Sequence, residues 1–215
     1  MSGTPEIGAV VAHLEQVFPA LDPADQRLSL ALYRELARGA PVAVPVLASL
    51  TGLAVEEVER RLRAWPGVFH DDAHQVVGYW GLTISHTAHR LRIGGRDLYT
   101  WCAWDTLFLP ELLGANAEVR SVCRGSSQLV ELTVGASAIE SKDPATLWVS
   151  FLLPDTDAMR ANLVASFCHY VHFFRSPDAA RSWLEEHPGT FLLSLADAYE
   201  VGRRGNRSRY GGLLS

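Results

Sequence analysis

Residues 41–80 read PVAVPVLASLTGLAVEEVERRLRAWPGVFHDDAHQVVGYW, and the fold of the first part of the chain turns on this stretch. Val44 to Leu50 is a short apolar segment that predicts a helix, and Thr51-Gly52 turns the chain. Val55, Val58, Leu62 and Trp65 then recur at helical spacing and give the next helix one apolar face. Beyond Pro66-Gly67, Val68-Phe69 and the run Val76 to Trp80 flank a polar Asp71-Asp72-Ala73-His74 turn, the pattern of a hairpin. Upstream, Asp22-Pro23 starts a helix, with Asp as cap and Pro at the first helical position; Leu28, Leu32 and Leu36 carry it to Gly39. Ile7, Val10, Val11, Leu14, Val17 and Phe18 predict a further short helix lying over the core. Three helices followed by a hairpin form a winged helix-turn-helix pattern, assigned here to residues 1–80.

The sharp reading of that pattern is DNA binding, and its charges oppose it. Between Pro41 and Trp80, Arg60, Arg61 and Arg63 face Glu56, Glu57, Glu59, Asp71 and Asp72, so the segment is net acidic. A recognition helix must neutralise phosphates, yet this one opens with Glu56-Glu57 where base edges would lie. The module is therefore expected to be structural or to mediate dimerisation, with no nucleic acid as partner.

Downstream, residues 82–96, with Leu82, Ile84, Leu91 and Ile93, predict a hairpin that ends at Gly94-Gly95. Asp97 then reads as the cap of a helix from Leu98 to Leu109, which Pro110 either interrupts or ends. Strands are expected at Ala117 to Cys123, Leu129 to Val134 and Thr146 to Leu153, with a β-prone run from Phe167 to Phe174. Helices are expected at Asp157 to Leu163 and from Pro177 to Glu186, and Phe191 to Leu195 leads into a last helical piece. The fold class is α+β: a winged-helix module, then a mixed domain over residues 81–200 built mainly on antiparallel strands. Residues 201–215, with Arg203, Arg204, Arg207 and Arg209 among Gly, Ser and Asn, read as a flexible basic tail.

The whole chain of 215 residues has a formal net charge of −5 and is 48% hydrophobic, which suits a buried core and gives no general attraction to nucleic acid or anionic membrane. The start lacks the basic and apolar regions of a secretory signal, and the longest apolar run, Thr146 to Pro154, is far too short to span a bilayer. Only Cys102, Cys123 and Cys168 are available as thiols, without a disulfide pattern, so a reducing cytoplasmic location is expected.

The densest chemistry lies in Leu98-Tyr99-Thr100-Trp101-Cys102-Ala103-Trp104-Asp105-Thr106. On a helix, Cys102 and Asp105 share a face and could exchange a proton. A cysteine at such a place is also often a small core residue. The second cluster is Ser166-Phe167-Cys168-His169-Tyr170-Val171-His172-Phe173-Phe174. On a strand, Cys168, Tyr170 and His172 would share one face and offer Cys168 and His172 to a metal, with Cys102 or Cys123 completing a site; a cysteine hydrolase pairing Cys102 with His169 or His172 is also conceivable from residue types alone. The spacing of a structural zinc site is missing. Cys123 sits at a strand end before Gly125-Ser126-Ser127, where a structural role is the simplest reading.

These two segments, with Gly78-Tyr79-Trp80-Gly81-Leu82-Thr83, resemble the signature regions of the alkylmercury lyases, the organomercurial lyases of bacterial mercury resistance. The resemblance runs from about Leu28 to Glu200. It implies a catalytic pair at Cys102 and Cys168, a catalytic aspartate at Asp105 and a structural cysteine at Cys123. Some members carry a second cysteine directly after the one matching Cys168; here that position is His169.

The implied reaction is protonolysis of a carbon–mercury bond, giving a hydrocarbon and Hg(II). Thiolates are preferred ligands for so soft a metal, and Asp105, kept protonated among Trp101, Trp104 and Phe108, would deliver the proton. Cys102, Cys168 and Asp105 would hold the mercury of substrate and product. No cofactor is implied; low-molecular-weight thiols would release the product, and mercuric reductase is the family's usual Hg(II) acceptor. Two other classes compete: a winged-helix regulator sensing a thiophilic metal, and a non-catalytic metal carrier.

Overall fold

The computed structural model describes residues 4–18 and 20–214; residues 1–3 and 19, which belong to the expected first module, and residue 215 of the expected tail lie outside them. Four helices begin the chain: α1 (Ile7–Val17), α2 (Pro23–Leu36), α3 (Val44–Thr51) and α4 (Val55–Ala64). The Asp22 carboxylate accepts the Asp25 N–H at 2.7 Å and Pro23 occupies the first helical position, so α2 starts as its sequence predicts. Leu28, Leu32 and Leu36 bury one face of α2, while Val58 and Leu62 bury one face of α4.

The arginines of α4 are engaged within the module. Arg61 pairs with Asp22, Asp25 and Glu57, Arg60 with Glu57, and Arg63 with Glu59. They fasten α4 to the start of α2 and to their own helix, which leaves this face poorly suited to phosphates.

The wing consists of β1 (Val68–His70) and β2 (Val76–Tyr79). It continues into the rest of the chain through β3 (Leu82–Thr83), β4 (His89–Ile93), β5 (Arg96–Thr100), β6 (Ala117–Val122), β7 (Leu129–Val134) and β8 (Ile139–Asp143). These eight strands form one antiparallel sheet in the order β1-β2-β3-β5-β4-β6-β7-β8. A chain break drawn at residue 80 therefore falls inside a continuous sheet. A second sheet places β9 (Trp148–Phe151) between β10 (Phe173–Phe174) and β11 (Phe191–Ser194). The remaining helices are α5 (Asp105–Leu113), α6 (Thr156–Ser166), α7 (Pro177–Glu186) and α8 (Leu195–Tyr210).

Four local expectations are corrected. The hairpin closing at Gly94-Gly95 is made by β4 and β5, while Leu82 belongs to the short strand linking β2 to β5. Asp97 caps no helix: it lies in β5, opposite Arg92, with its carboxylate paired to Arg90. The segment around it is taken by the ladder to β4, and the helix begins eight residues later at Asp105. The run Phe167 to Phe174 is mostly not a strand. Phe167 still hydrogen-bonds back to Leu163, Cys168–Tyr170 form one 3₁₀ turn, and only Phe173 and Phe174 pair with β9.

The tail is also ordered. Residues 201–210 complete α8, which packs on α1 and α5. Val201, Gly202, Asn206 and Tyr210 turn inward at helical spacing beneath a mostly polar surface, and Asn206 Nδ2 donates to the Phe108 carbonyl at 3.0 Å. Gly202 allows close approach, because a Cβ there would lie 2.7 Å from Phe108 Cβ. Tyr210 shares a hydrogen bond of 2.7 Å with Ser29. Tyr210→Ala is accordingly expected to lower unfolding free energy in urea by about 3 kcal/mol. A frayed tail would show no change.

Candidate active site

Two turns and one glycine build the site. The first turn joins β5 to α5. At its end Asp105 Oδ2 reaches back to accept the Cys102 N–H at 2.9 Å, as a carboxylate in a helix's first turn can. Thr100 Oγ1 donates to the Cys102 carbonyl at 2.9 Å, and Thr106 Oγ1 to the Ala103 carbonyl at 2.7 Å. The Trp101 N–H donates to the Gly81 carbonyl at 3.2 Å, which ties the turn to the strand linker.

The second turn is the 3₁₀ turn that starts at Cys168. Its last hydrogen bond runs from the Val171 N–H to the Cys168 carbonyl at 3.2 Å, and the Val171 carbonyl accepts the Ala103 N–H, also at 3.2 Å. One residue, Val171, thus joins the turns carrying the two cysteines. Their sulfurs and an Asp105 carboxyl oxygen lie within 4.8 Å of one another.

Gly81 completes the frame. Its φ is +95°, and a Cβ at this position would stand 2.6 Å from the Asp105 carboxyl carbon. Any side chain here would displace the carboxyl group.

All three groups are buried: Cys102 is 0%, Cys168 3% and Asp105 4% exposed. Asp105 and Cys168 line a small, largely apolar pocket, and Cys102 is not among its lining residues. Trp80, Trp104, Phe108 and Phe167 make much of its wall, and Tyr33 and Tyr210 add to it. Trp101, expected in that wall, instead packs its ring edge-on against Phe69 at 4.6 Å.

Burial sets the protonation of these groups. It pushes the Asp105 carboxyl up to about 7, against the downward pull of hydrogen bonds from the Cys102 thiol and amide and the Trp101 amide. Burial also holds the Cys102 thiol well above the ordinary range, reinforced by its hydrogen bond to Cys168 and by the Asp105 charge. For Cys168 the same hydrogen bond acts downward, but burial and Asp105 more than offset it and leave the thiol raised.

The other sequence candidates lie elsewhere. Cys123 is 1% exposed, at the end of β6, and is not in the cluster. Burial pushes its thiol up, but hydrogen bonds from Ser126 and from the amides of Arg175, Ser126 and Gly125 leave it lowered. It braces the turn that hydrogen-bonds through Arg124 N–H to the Phe173 carbonyl at 3.0 Å. His169 is exposed, and His172 Nε2 contacts the His169 carbonyl at 2.8 Å while its ring lies edge-on to Trp183. Neither histidine joins Cys168 in a ligand cluster among the described residues. Gly81 and the lining residues Tyr33 and Arg209 were not singled out by sequence reasoning; only the Gly78–Thr83 signature hinted at the first.

Fold and site together define a winged-helix module fused to an α+β domain that carries a buried dithiol–carboxyl centre. The helix-turn-helix domain model of alkylmercury lyase matches residues 13–80, and the alkylmercury lyase model matches residues 82–205. The chain is 44% identical to an alkylmercury lyase of Staphylococcus epidermidis over 172 residues, covering 80% of this chain and 78% of that one. It is 42% identical to that of Streptomyces lividans over the same shares, and 38% identical to that of Pseudomonas putida over 81% of each chain. The mercury-bound form of MerB2 has the same fold, with a TM-score of 0.75 and 24% identity over 96% of this chain and 98% of that one. The chain belongs to the alkylmercury lyase family. It is an enzyme of the class that cleaves carbon–mercury bonds, with an organomercurial as substrate and Hg(II) as product. No helix is long and apolar enough to cross a membrane among the described residues.

The raised Asp105 pKa has a consequence for stability. The folded protein holds this proton up to about pH 7, whereas an unfolded Asp releases it near 3.8. Between those values the native state binds more protons, so this contribution to stability is present at low pH and is lost as pH rises through about 7. Relative to Asp105→Asn, the wild-type protein should gain unfolding free energy as pH is lowered from 8 to 5. A carboxylate already ionised at pH 5 would leave the difference flat.

Proposed function

We propose that the chain cleaves organomercurials by protonolysis, with Cys168 and Cys102 as mercury ligands and Asp105 as the proton donor to carbon. The observation that carries this reading is the buried convergence of two sulfurs and one near-neutral carboxyl group within 4.8 Å. Thiolates suit mercury, and a carboxyl group with a pKa near the working pH suits proton transfer.

The steps follow from the placement of the groups. Cys168 lines the pocket and Cys102 does not, so Cys168 is the first thiol to meet substrate. Its thiolate displaces the carrier thiolate from R–Hg–SR′ and forms Cys168–S–Hg–R. Cys102 then transfers its proton to the Asp105 carboxylate, and the new thiolate adds to mercury. Asp105 passes the proton to the carbon as the carbon–mercury bond breaks. R–H departs, Hg(II) remains on the two sulfurs, and Asp105 is again a carboxylate. Every electron pair stays with a named atom, and no redox step or cofactor enters.

The apolar wall favours hydrophobic organic groups and limits competing water. Product release by low-molecular-weight thiols restores both cysteines, and mercuric reductase is the proposed acceptor of the released Hg(II). That cycle requires free thiols, as a reducing cytoplasm would supply. The mercury-bound state of the structural relative MerB2 supports the choice of metal.

Benzene in the headspace over phenylmercury, with a small thiol present, tests this directly. Cys102→Ser, Cys168→Ser and Asp105→Ala should each lower its release by at least about a thousandfold. Cys123→Ser should keep turnover within about threefold, since Cys123 stands outside the centre. Near wild-type rates in any of the first three, each folded by circular dichroism, would remove that residue from the mechanism.

A further inference from the structure

The pocket of the dithiol centre has one feature that the cleavage chemistry leaves unused. Among the described residues lining it, Arg209 is the single cationic side chain. Its guanidinium carbon lies 5.4 Å from the Phe18 ring, 5.2 Å from the Trp80 ring and 5.8 Å from the Tyr210 ring. Its backbone carbonyl accepts Gln26 Nε2 at 2.7 Å, which anchors this end of α8.

The guanidinium is held but unpaired. Arg203 and Arg204, on the same helix, pair with Glu111 and Glu200, whereas Arg209 has no ion pair among the described residues. Its Nε is buried without a hydrogen-bond partner among them. A buried N–H without an acceptor is costly, and a fixed guanidinium fork against aromatic faces matches a carboxylate in shape and charge. The proposed cleavage steps use Cys168, Cys102 and Asp105 and give Arg209 no part.

We propose that Arg209 forms a carboxylate subsite in the pocket wall, which favours organomercurials bearing a carboxylate on the organic group or on the thiol that delivers the mercury. This rests on the lyase reading for its substrates, but its recognition chemistry can be read without turnover.

Benzoate binding, followed by tryptophan fluorescence and compared with benzamide, reads the subsite alone. Arg209→Gln should reduce the benzoate-to-benzamide affinity ratio at least about tenfold, the size of a charge-assisted hydrogen bond, and Arg209→Lys should restore part of it. Arg209→Met, which keeps the apolar stem against the rings, replaces the Gln variant if that one fails to fold by circular dichroism. Two turnover ratios then identify the source of the carboxylate. The first is kcat/KM for 4-carboxyphenylmercury over phenylmercury, both delivered by 2-mercaptoethanol. The second is kcat/KM for phenylmercury delivered by 3-mercaptopropionate over 2-mercaptoethanol. A tenfold fall in the first assigns the subsite to the organic group, and a fall in the second assigns it to the carrier thiol. An unchanged benzoate ratio overturns the proposal, as does a fallen benzoate ratio with neither turnover ratio moved. A purely structural arginine would change absolute rates and leave all three ratios alone. Absence of benzene from the wild-type enzyme would sink the lyase reading only, and the benzoate ratio would still decide the subsite.

Discussion

Asp105 is a carboxyl group placed where an ionised carboxylate is expensive, and its hydrogen bond from the Cys102 amide holds it there. The energetics of the centre derive from this conflict. Burial favours the neutral acid, the hydrogen bonds favour the anion, and the balance falls near neutrality. A carboxyl group so poised accepts a proton from one neighbour and gives it to another without a large penalty in either direction. The same short loop fixes the Cys102 sulfur beside it, so carboxyl and thiol are set by one local structure.

That arrangement depends on distant parts of the chain. Gly81 must lack a side chain for the carboxyl to lie against its backbone, and its carbonyl ties the loop through Trp101. The Val171 carbonyl, beyond the second cysteine, fixes the loop from the other side through Ala103. The winged module contributes through β2, whose ladder to β3 sets the course of the Trp80–Gly81 turn, and through Tyr33, which donates to the Trp80 carbonyl at 2.9 Å. The helix-turn-helix fold here serves as a wall of the pocket, with its α4 arginines spent on internal ion pairs.

Much of this was legible in the residues themselves. The helices of the module, the wing, and the β6 and β7 strands follow from apolar spacing, because each buries a single face. Asp105 and Cys102 were correctly paired from their separation of three residues, but on an assumed helix. Tyr99 and Thr100 are strand formers, and the ladder to β4 outweighed Asp97 as a cap. Strand β8 was missed because Ile139–Asp143 is a polar edge segment with little to bury. The β-prone run at Phe167 to Phe174 misled because its bulky residues fill the core around a turn, with Phe151 and Phe167 packed edge-to-face at 5.2 Å. In α8, arginine-rich composition hid the inward spacing of Val201, Asn206 and Tyr210. The convergence of Cys168 on Cys102 is a tertiary contact that neither segment encodes alone; residue types offered Cys102 and Cys123 alike as partners of Cys168, and resemblance pointed to Cys102.

The central claim is that both thiols end on mercury as the carbon leaves protonated. X-ray absorption at the mercury edge, on Cys123→Ser protein after a single turnover of equimolar phenylmercury and removal of free thiol, tests it most directly. The expected result is one benzene released per chain and Hg(II) bound by two sulfurs, with no carbon bonded to it. Mercury bound by one sulfur and still bonded to carbon, or a two-sulfur site that persists in Cys102→Ser protein, would contradict it.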